Sequence, residues 1–358
     1  MGNLMFLGPV PLPHSRDLGV GLEKLGYPVR YWYLRASASH YPWRSLDGGR
    51  LEEIVEWKPG RILRMFREAS SSRLVVIVGW HSVLQVALAS FCFVRKIRFV
   101  YWLDGIEEPR TGARKAIKRR LLQLADGYFI TGTRAIDVWM RYYGLGAERC
   151  FDFPYLEYKP NEREVIRVNR KRVSEIRCGG AIRILVSNRF LPRKGYEALL
   201  EGLLSLRREI FSKIEIEVLG DGPGRGVLEK SVRPEKGIRF RGWVEYSEYL
   251  TCLERCDIFI HASLHEPFGI PPVDAMAFGK AVICSTGVFS CSDRIENGKN
   301  GMVFHAGDSR GICESVSWLV ENPEEIYRIG KAAMKTSAEF GVEYNLRSIL
   351  EAVAVVDP

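Results

Sequence analysis

The chain lacks the cysteine spacing of a metal or zinc module. Its eight cysteines (92, 150, 178, 252, 256, 284, 291 and 313) include no Cys-x-x-Cys pair. Cys252 and Cys256 stand four apart on a predicted helix, but no histidine or second cysteine pair completes a zinc set around them. Reduced cysteines in a cytoplasmic protein are the expectation. The opening "MGNLMFLGPV" has neither the basic start nor the cleavage site of a secretory leader, and Phe6 stands where a myristoylation signal needs Ser or Thr. The glycine-rich "LGDGPGRG" (219–226) is not followed by Gly-Lys-Ser/Thr and does not fit Gly-x-Gly-x-x-Gly, which excludes a Walker loop and a dinucleotide fingerprint. No helix-turn-helix, zinc or RNA-binding signature is present, so nucleic acid is not an expected partner. One apolar run is long enough to span a bilayer, "LVVIVGWHSVLQVALASFCFV" (74–94), but Gly79-Trp80-His81-Ser82 interrupts it. Its first part is β-branched and its second is rich in Leu and Ala, which reads as a buried strand, a polar turn and a helix.

What is present is ordinary globular material, 46% hydrophobic and 27% charged. At 358 residues, two domains are expected. The net charge of +9 is uneven: residues 1–180 hold 30 Lys and Arg against 18 Asp and Glu, and the remainder 22 against 25. A basic front half suits an anionic partner such as phosphate or a membrane surface, although a solvated surface would show the same balance.

Strand-like and helix-like segments alternate nearly throughout, the pattern of parallel sheets with crossover helices. In the front half, strands are predicted at 3–8, 28–34, 74–78, 97–103 and 127–131, with helices at 15–25, 49–67, 82–94, 112–125 and 133–143. The stretch 157–180 is polar and basic with no apolar periodicity, and reads as a linker. A second alternation follows: strands at 182–188, 214–220, 238–242, 257–262 and 281–285, and helices at 194–206, 224–232, 245–255, 272–278, 309–319, 323–337 and 343–354. The boundaries predicted are a front domain 1–157, a basic linker 158–180, a second domain 181–337 and a terminal helix 338–358 that returns to the front domain. Both domains are Rossmann-like α/β, and ligands are expected beyond the carboxyl ends of their strands.

The candidate chemistry stands at those strand ends. After strand 182–188 comes "NRFLPRKGYEALLEG", with Arg189 and Lys194 five apart across a proline turn into a helix. Free N–H groups, a positive helix end and two cations make a seat for pyrophosphate. After strand 257–262, "HEPFGIPPVDAMAFGK" places Glu266 in a loop and Asp274 in the following helix, with Pro271 and Pro272 suited to its first turn. Acids beside a phosphate seat would repel a bare phosphate. They fit hydroxyls on either side of it, as on a nucleotide-sugar.

The ordered segments "SNRFLPRKGYEALLEG", "LGDGPGRG", "RFRGWVEYSEYLTCLERCDIFIHAS", "EPFGIPPVDAMAFGKAVICS" and "ENGKNGMVF" resemble the donor domain of retaining GT-B glycosyltransferases, of the glycosyltransferases group 1 family. The resemblance is strong over about 182–306 and covers the front half only in outline. It implies a GT-B fold, two Rossmann-like domains whose parallel sheets face across a cleft. It implies that Arg189 and Lys194 neutralise the donor diphosphate and that Glu266 binds hydroxyls of the transferred sugar. Phe268, Gly269 and Ile270 would touch sugar and phosphate, Asp274 would hold the ribose, and Gly8, Gly222 and Val244 would complete the donor site. Asp274 replaces the glutamate of the family's Glu-x7-Glu, and Asp293 also stands where the family has Glu. In the front half Leu103 replaces the histidine of a His-Asp pair, leaving Asp104, with His81 as an alternative polar group on the acceptor side. His14, His261 and His265 carry no specific assignment.

The implied reaction is sugar transfer from a UDP- or GDP-sugar to a glycan, lipid or lipid-linked hydroxyl. The anomeric configuration is retained, the donor phosphate takes the acceptor proton, and no metal or other cofactor is needed. The helix "GARKAIKRRLLQLAD" (112–126), with Ile117, Leu121 and Leu124 on one face and Arg114, Lys115, Lys118 and Arg119 largely off it, is a candidate for an anionic membrane surface. The rival readings are a catalytically silent sugar-nucleotide-binding scaffold subunit and a nucleotide-sugar epimerase.

Overall fold

The computed structural model describes residues 2–11, 15–35, 52–105, 112–155, 159–232 and 237–356. His14 and part of the loop after the first strand lie outside them. The strands are β1 (Asn3–Gly8), β2 (Val29–Tyr33), β3 (Glu52–Ile54), β4 (Ser72–Val78), β5 (Phe99–Leu103), β6 (Gly127–Ile130), β7 (Cys150–Asp152), β8 (Ile182–Ser187), β9 (Ile214–Leu219), β10 (Ile238–Gly242), β11 (Ile258–His261), β12 (Ala281–Ser285) and β13 (Met302–Phe304). The helices are α1 (Ser15–Lys24), α2 (Pro59–Ser71), α3 (Val83–Arg95), α4 (Ala113–Leu122), α5 (Thr133–Tyr143), α6 (Glu162–Arg177), α7 (Tyr196–Leu204), α8 (Arg208–Phe211), α9 (Arg225–Ser231), α10 (Tyr246–Arg255), α11 (Ile270–Ala277), α12 (Phe289–Arg294), α13 (Ser309–Glu321), α14 (Pro323–Ala338) and α15 (Val342–Val356). The chain divides into two units: Met1–Leu156 with Phe340–Pro358, and Glu157–Glu339.

The first unit holds a parallel sheet of order β3-β2-β1-β4-β5-β6-β7. The apolar run 74–94 is β4 and α3. Gly79 at φ +79° turns between them, and Ser82 caps α3 while Gln85 returns a bond to the Ser82 N–H. Among the described residues no helix is long and apolar enough to cross a membrane. α15 packs in this unit: Ile349, Ala352 and Val353 join Leu18, Leu22 and Phe153 in one core.

The second unit holds a parallel sheet of order β10-β9-β8-β11-β12-β13. The chain winds outward from β8 to β10, then restarts on the other side at β11. β8 and β11 are therefore the strands between which the winding reverses, and side chains at their carboxyl ends face a natural crevice. Ile260 pairs with Val186, which sets His261 level with Ser187.

Three expectations are corrected. The helix predicted at 49–67 is an edge strand, β3, followed by α2. Left-handed Glu56 (φ 47°) and Trp57 (φ 56°) turn the chain, and Pro59 opens the helix. The predicted linker 158–180 contains α6, capped by Asn161. Its inward face mixes apolar and ionic groups: Val165 and Ile176 are buried in the cores on either side of Arg172. Buried Arg172 grips Asp257 through two bonds of 3.1 and 2.8 Å and reaches the Ala181 carbonyl. Buried Lys280 donates to Asn169 on the same helix. The cysteines are not all reduced: Cys284 and Cys291, both buried, form a disulfide that spans the turn after β12.

Candidate active site

Two loops build the site. The first leaves β8 through Asn188 and Arg189 and makes a 3-10 turn, Pro192–Lys194, before α7. The second leaves β11 through Ser263 and Glu266 before α11. Backbone bonds join them, since the Leu264 N–H donates to the Arg193 carbonyl at 2.8 Å. Gly195 makes this approach possible: at φ +67°, a Cβ there would lie 2.1 Å from the Ala262 carbonyl oxygen. The Glu266 loop is braced from its other side by the turn after β12. Glu266 N–H donates to the Gly287 carbonyl (2.9 Å), and Ser290 N–H donates to that of Phe268 (2.9 Å). Gly269, at φ +96°, lies against Val288, where a Cβ would come within 2.6 Å.

At the junction the Lys194 ammonium, 7% exposed, donates to Glu266 Oε2, and Glu266 is 15% exposed. Arg193 Nη1 lies 3.6 Å from the same oxygen and also donates to the His265 carbonyl. His261, buried, places Nε2 3.9 Å from Glu266 Oε2, 3.2 Å from Ser263 Oγ and 3.5 Å from Asn188 Nδ2. His261 Nδ1 has no partner. A proton on Nε2 leaves only an acceptor unsatisfied, whereas one on Nδ1 would bury an unpaired donor, so Nε2–H facing Glu266 is the favoured tautomer.

The electrostatics follow from this crowding. Burial raises the Glu266 carboxyl, but the adjacent His261 and Lys194 more than reverse it, holding Glu266 at about 2. Burial lowers the Lys194 ammonium, Glu266 opposes that, and the neighbouring Arg193 and Arg189 push it further down. Burial likewise lowers His261 and keeps it neutral. The result near neutral pH is a carboxylate and an ammonium in contact, with two exposed guanidinium groups on the same loop.

The structure thus gathers Arg189, Lys194 and Glu266, with Gly269 shaping the loop. Gly222 sits beside them, since its turn is tied to the Arg189 loop by Phe190 N–H to the Asp221 carbonyl (3.1 Å) and Gly224 N–H to the Phe190 carbonyl (3.3 Å). Ile270, half-buried, opens α11. Phe268 is buried under Arg294, and half-buried Val244 packs with the Tyr249–Leu253 cluster. Asp274 is 1% exposed, with Oδ2 3.4 Å from the Tyr249 hydroxyl. Gly8, His81 and Asp104 lie at strand ends of the other unit. Sequence reasoning missed Arg193, His261, Asn188 and Ser263. A signal for Arg193 was present in "PRK"; buried His261 in an apolar strand offers none. Among the described residues no group of three His, Cys, Asp or Glu side chains could hold a metal ion.

Residues 169–336 match the family described as glycosyl transferases group 1. The matched region runs from within α6 into α14, so both loops of the site lie inside it. The chain is similar to the lipopolysaccharide core biosynthesis glycosyltransferase LpsE of Rhizobium meliloti, 26% identical over 43% of this chain and 44% of that protein. It is also similar to D-inositol 3-phosphate glycosyltransferase of Streptomyces coelicolor, 23% identical over 69% of this chain and 58% of the relative. The chain spans about half the length of the curated relatives it matches. Its fold is that of GT-B glycosyltransferases. Anabaena Alr3699/HepE, solved with UDP and glucose, superposes with TM-score 0.71 at 16% identity over 99% of this chain and 100% of that one. Sucrose-phosphate synthase of Thermosynechococcus elongatus gives 0.67 at 15% identity, over 97% of each chain.

Proposed function

We propose that the chain is a glycosyltransferase that takes a sugar from a nucleoside-diphosphate donor and passes it to a hydroxyl with retention of anomeric configuration. The observation that carries this reading is the buried Lys194–Glu266 pair at the winding reversal, with Arg189 and Arg193 beside it. The arrangement divides labour by charge. Lys194, Arg189 and Arg193 suit the diphosphate, and their attraction grows as negative charge develops on the departing phosphate. No metal is required for that task, and activity should persist in EDTA.

Glu266 is a poor acid and a poor base. A carboxyl held at about 2 is ionised throughout the working range, whereas effective proton transfer wants a value near the operating pH. It is suited instead to accepting hydrogen bonds from sugar hydroxyls. The acceptor proton then goes to an oxygen of the departing diphosphate as the anomeric carbon–oxygen bond to that phosphate breaks. The new bond forms on the same face. HepE is solved with UDP and with UDP-glucose, which supports UDP as the first base to try. The acceptor is a glycan, a lipid or a lipid-linked hydroxyl, on the side of the basic first unit, and a cytoplasmic chain docking at an anionic membrane surface fits that charge.

Buried Asp274 favours a second reading, a silent sugar-nucleotide-binding subunit, because the acid assigned to the ribose is engaged with Tyr249. Purified chain incubated with UDP-glucose decides between them. Donor hydrolysis or transfer that falls roughly a hundredfold in Lys194→Ala and in Glu266→Ala supports the enzyme. Stabilisation by UDP without any turnover supports the silent subunit.

A further inference from the structure

One cluster outside the donor site is unused by this mechanism. α4 turns its side chains against amphipathic expectation: Ile117 is 60% exposed, while Lys118 is half-buried among aromatic rings. The Lys118 ammonium lies 4.0 Å from the ring centroid of Trp80, 4.6 Å from that of Trp139 and 4.6 Å from that of Tyr143. Trp139 and Tyr143 are buried on α5, one turn apart, and Trp80 is half-buried at the end of β4. His81 stacks obliquely on Trp80, with ring centroids 5.0 Å apart. Trp139 Nε1 donates to the Asp104 carbonyl at 2.7 Å, which ties the end of β5 to the same cluster.

Among the described residues no hydrogen-bond acceptor satisfies this ammonium, and three ring faces lie against it. A lysine four carbons long on an exposed helix could reach water; this one is held inward. The desolvation lowers Lys118 to about 8, and burial followed by the charge of Lys118 lowers His81. Lys115 over Tyr142 shows that α4 also uses cations simply to pack on α5. Lys118 differs in place. The sheet reverses its winding between β1 and β4, and Trp80 and His81 follow β4 after Gly79, so the cage stands near the strand ends where ligands bind in such sheets.

We propose that the Trp80–Lys118–Trp139–Tyr143 cage, with His81 at its rim, binds the phosphate ester of a phosphorylated acceptor. The rings exclude water from one side of the cation, which strengthens its attraction for an incoming anion, and the exposed part of Trp80 offers a face to the attached sugar or polyol. The proposal rests on the glycosyl-transfer reading for the meaning of the site. Its chemistry is shared by a soluble sugar phosphate and by a lipid phosphate, and the test separates these sources.

Labelling of Lys118 by an amine-reactive acetyl ester at pH 8, read on its peptide by mass spectrometry, is the measurement, with Lys115 as internal reference. The full chain is labelled alone, with glucose 6-phosphate, with glucose, with phosphatidic acid vesicles and with phosphatidylcholine vesicles. Slowing of at least fivefold by glucose 6-phosphate or by phosphatidic acid, with glucose and phosphatidylcholine inert, is expected, and the arm that protects names the source. Equal labelling in every arm overturns the proposal. A Lys118 that resists labelling without ligand overturns it too, because the cage is then closed. UDP stabilisation of the Lys118→Met chain, measured alongside, reports on donor binding separately: UDP binding that persists while protection fails sinks this site and leaves the donor site standing.

Discussion

At Glu266 stability and function pull on the same atoms. Its folded carboxyl titrates near 2 against an ordinary value near 4.5, so the folded state favours the ionised form. A depressed acid contributes stability that is present above the unfolded value and lost as pH falls through the folded one. The expected outcome is that the difference in urea unfolding free energy between wild type and Glu266→Gln is constant from pH 8 to 5, then shrinks below pH 4.5. Its neutral-pH size is about 3 kcal/mol, because the variant leaves the Lys194 ammonium buried without its partner. A difference that grows on acidification would refute the pairing. That Arg189, Lys194 and Glu266 stand in loops at strand ends was legible in the sequence, because charged residues there interrupt the apolar pattern of the strands. His261 was not, since its strand is apolar throughout and a buried histidine changes neither pattern nor period. The contact of buried Asp274 with Tyr249 was equally hidden, because Tyr249 lies 25 positions away on another helix.

Among the elements, α6 shows why a polar segment can be structural. Its buried face carries Val165 and Ile176 with Asn169 and Arg172 between them, and Arg172 fastens the helix to the sheet through Asp257, which also accepts the Arg183 N–H at 2.8 Å. Polar and ionic groups set into the middle of an apolar stripe break the period that would otherwise reveal the helix. The alternating strands and most crossover helices were legible because their burial is hydrocarbon. The short edge strands β3, β7 and β13 were not, as three residues carry too little pattern to read. Arg172→Met should destabilise the second unit by about 3–5 kcal/mol in urea unfolding, because Asp257 is left buried and charged. Arg172→Met with Asp257→Asn should cost less than the single change, since no buried charge is stranded. A double variant as damaged as the sum of its parts would show that the ion pair is not what holds α6.

For the whole molecule, the decisive feature is that the first unit is discontinuous in sequence. Residues after Glu339 leave the second unit and complete the core of the first. α15 is held there by apolar contact and by three bonds to one short segment: Tyr344 to the Asp152 carboxylate (2.7 Å), Ser348 to the Asp152 carbonyl (2.6 Å) and Asn345 to the Pro154 carbonyl (2.8 Å). Ending the chain at Glu339 would strip cover from Leu18 and Leu22 and leave the Pro154 carbonyl without its donor. Burying an Ile or Val side chain is worth about 1.5–3 kcal/mol, and a domain's whole margin is about 5–15 kcal/mol, so the first unit should not stay folded without α15. The second unit loses no element of its sheet. The truncated chain should therefore show one cooperative melting transition that UDP still raises, with the remaining residues open to limited proteolysis between 1 and 156. Ile349→Ala in the full chain, which removes part of the same packing, should lower the stability of the first unit by about 2–5 kcal/mol without moving UDP affinity. If instead truncation abolished the UDP shift while the first unit resisted protease, α15 would be serving the donor site and not the core in which it is packed.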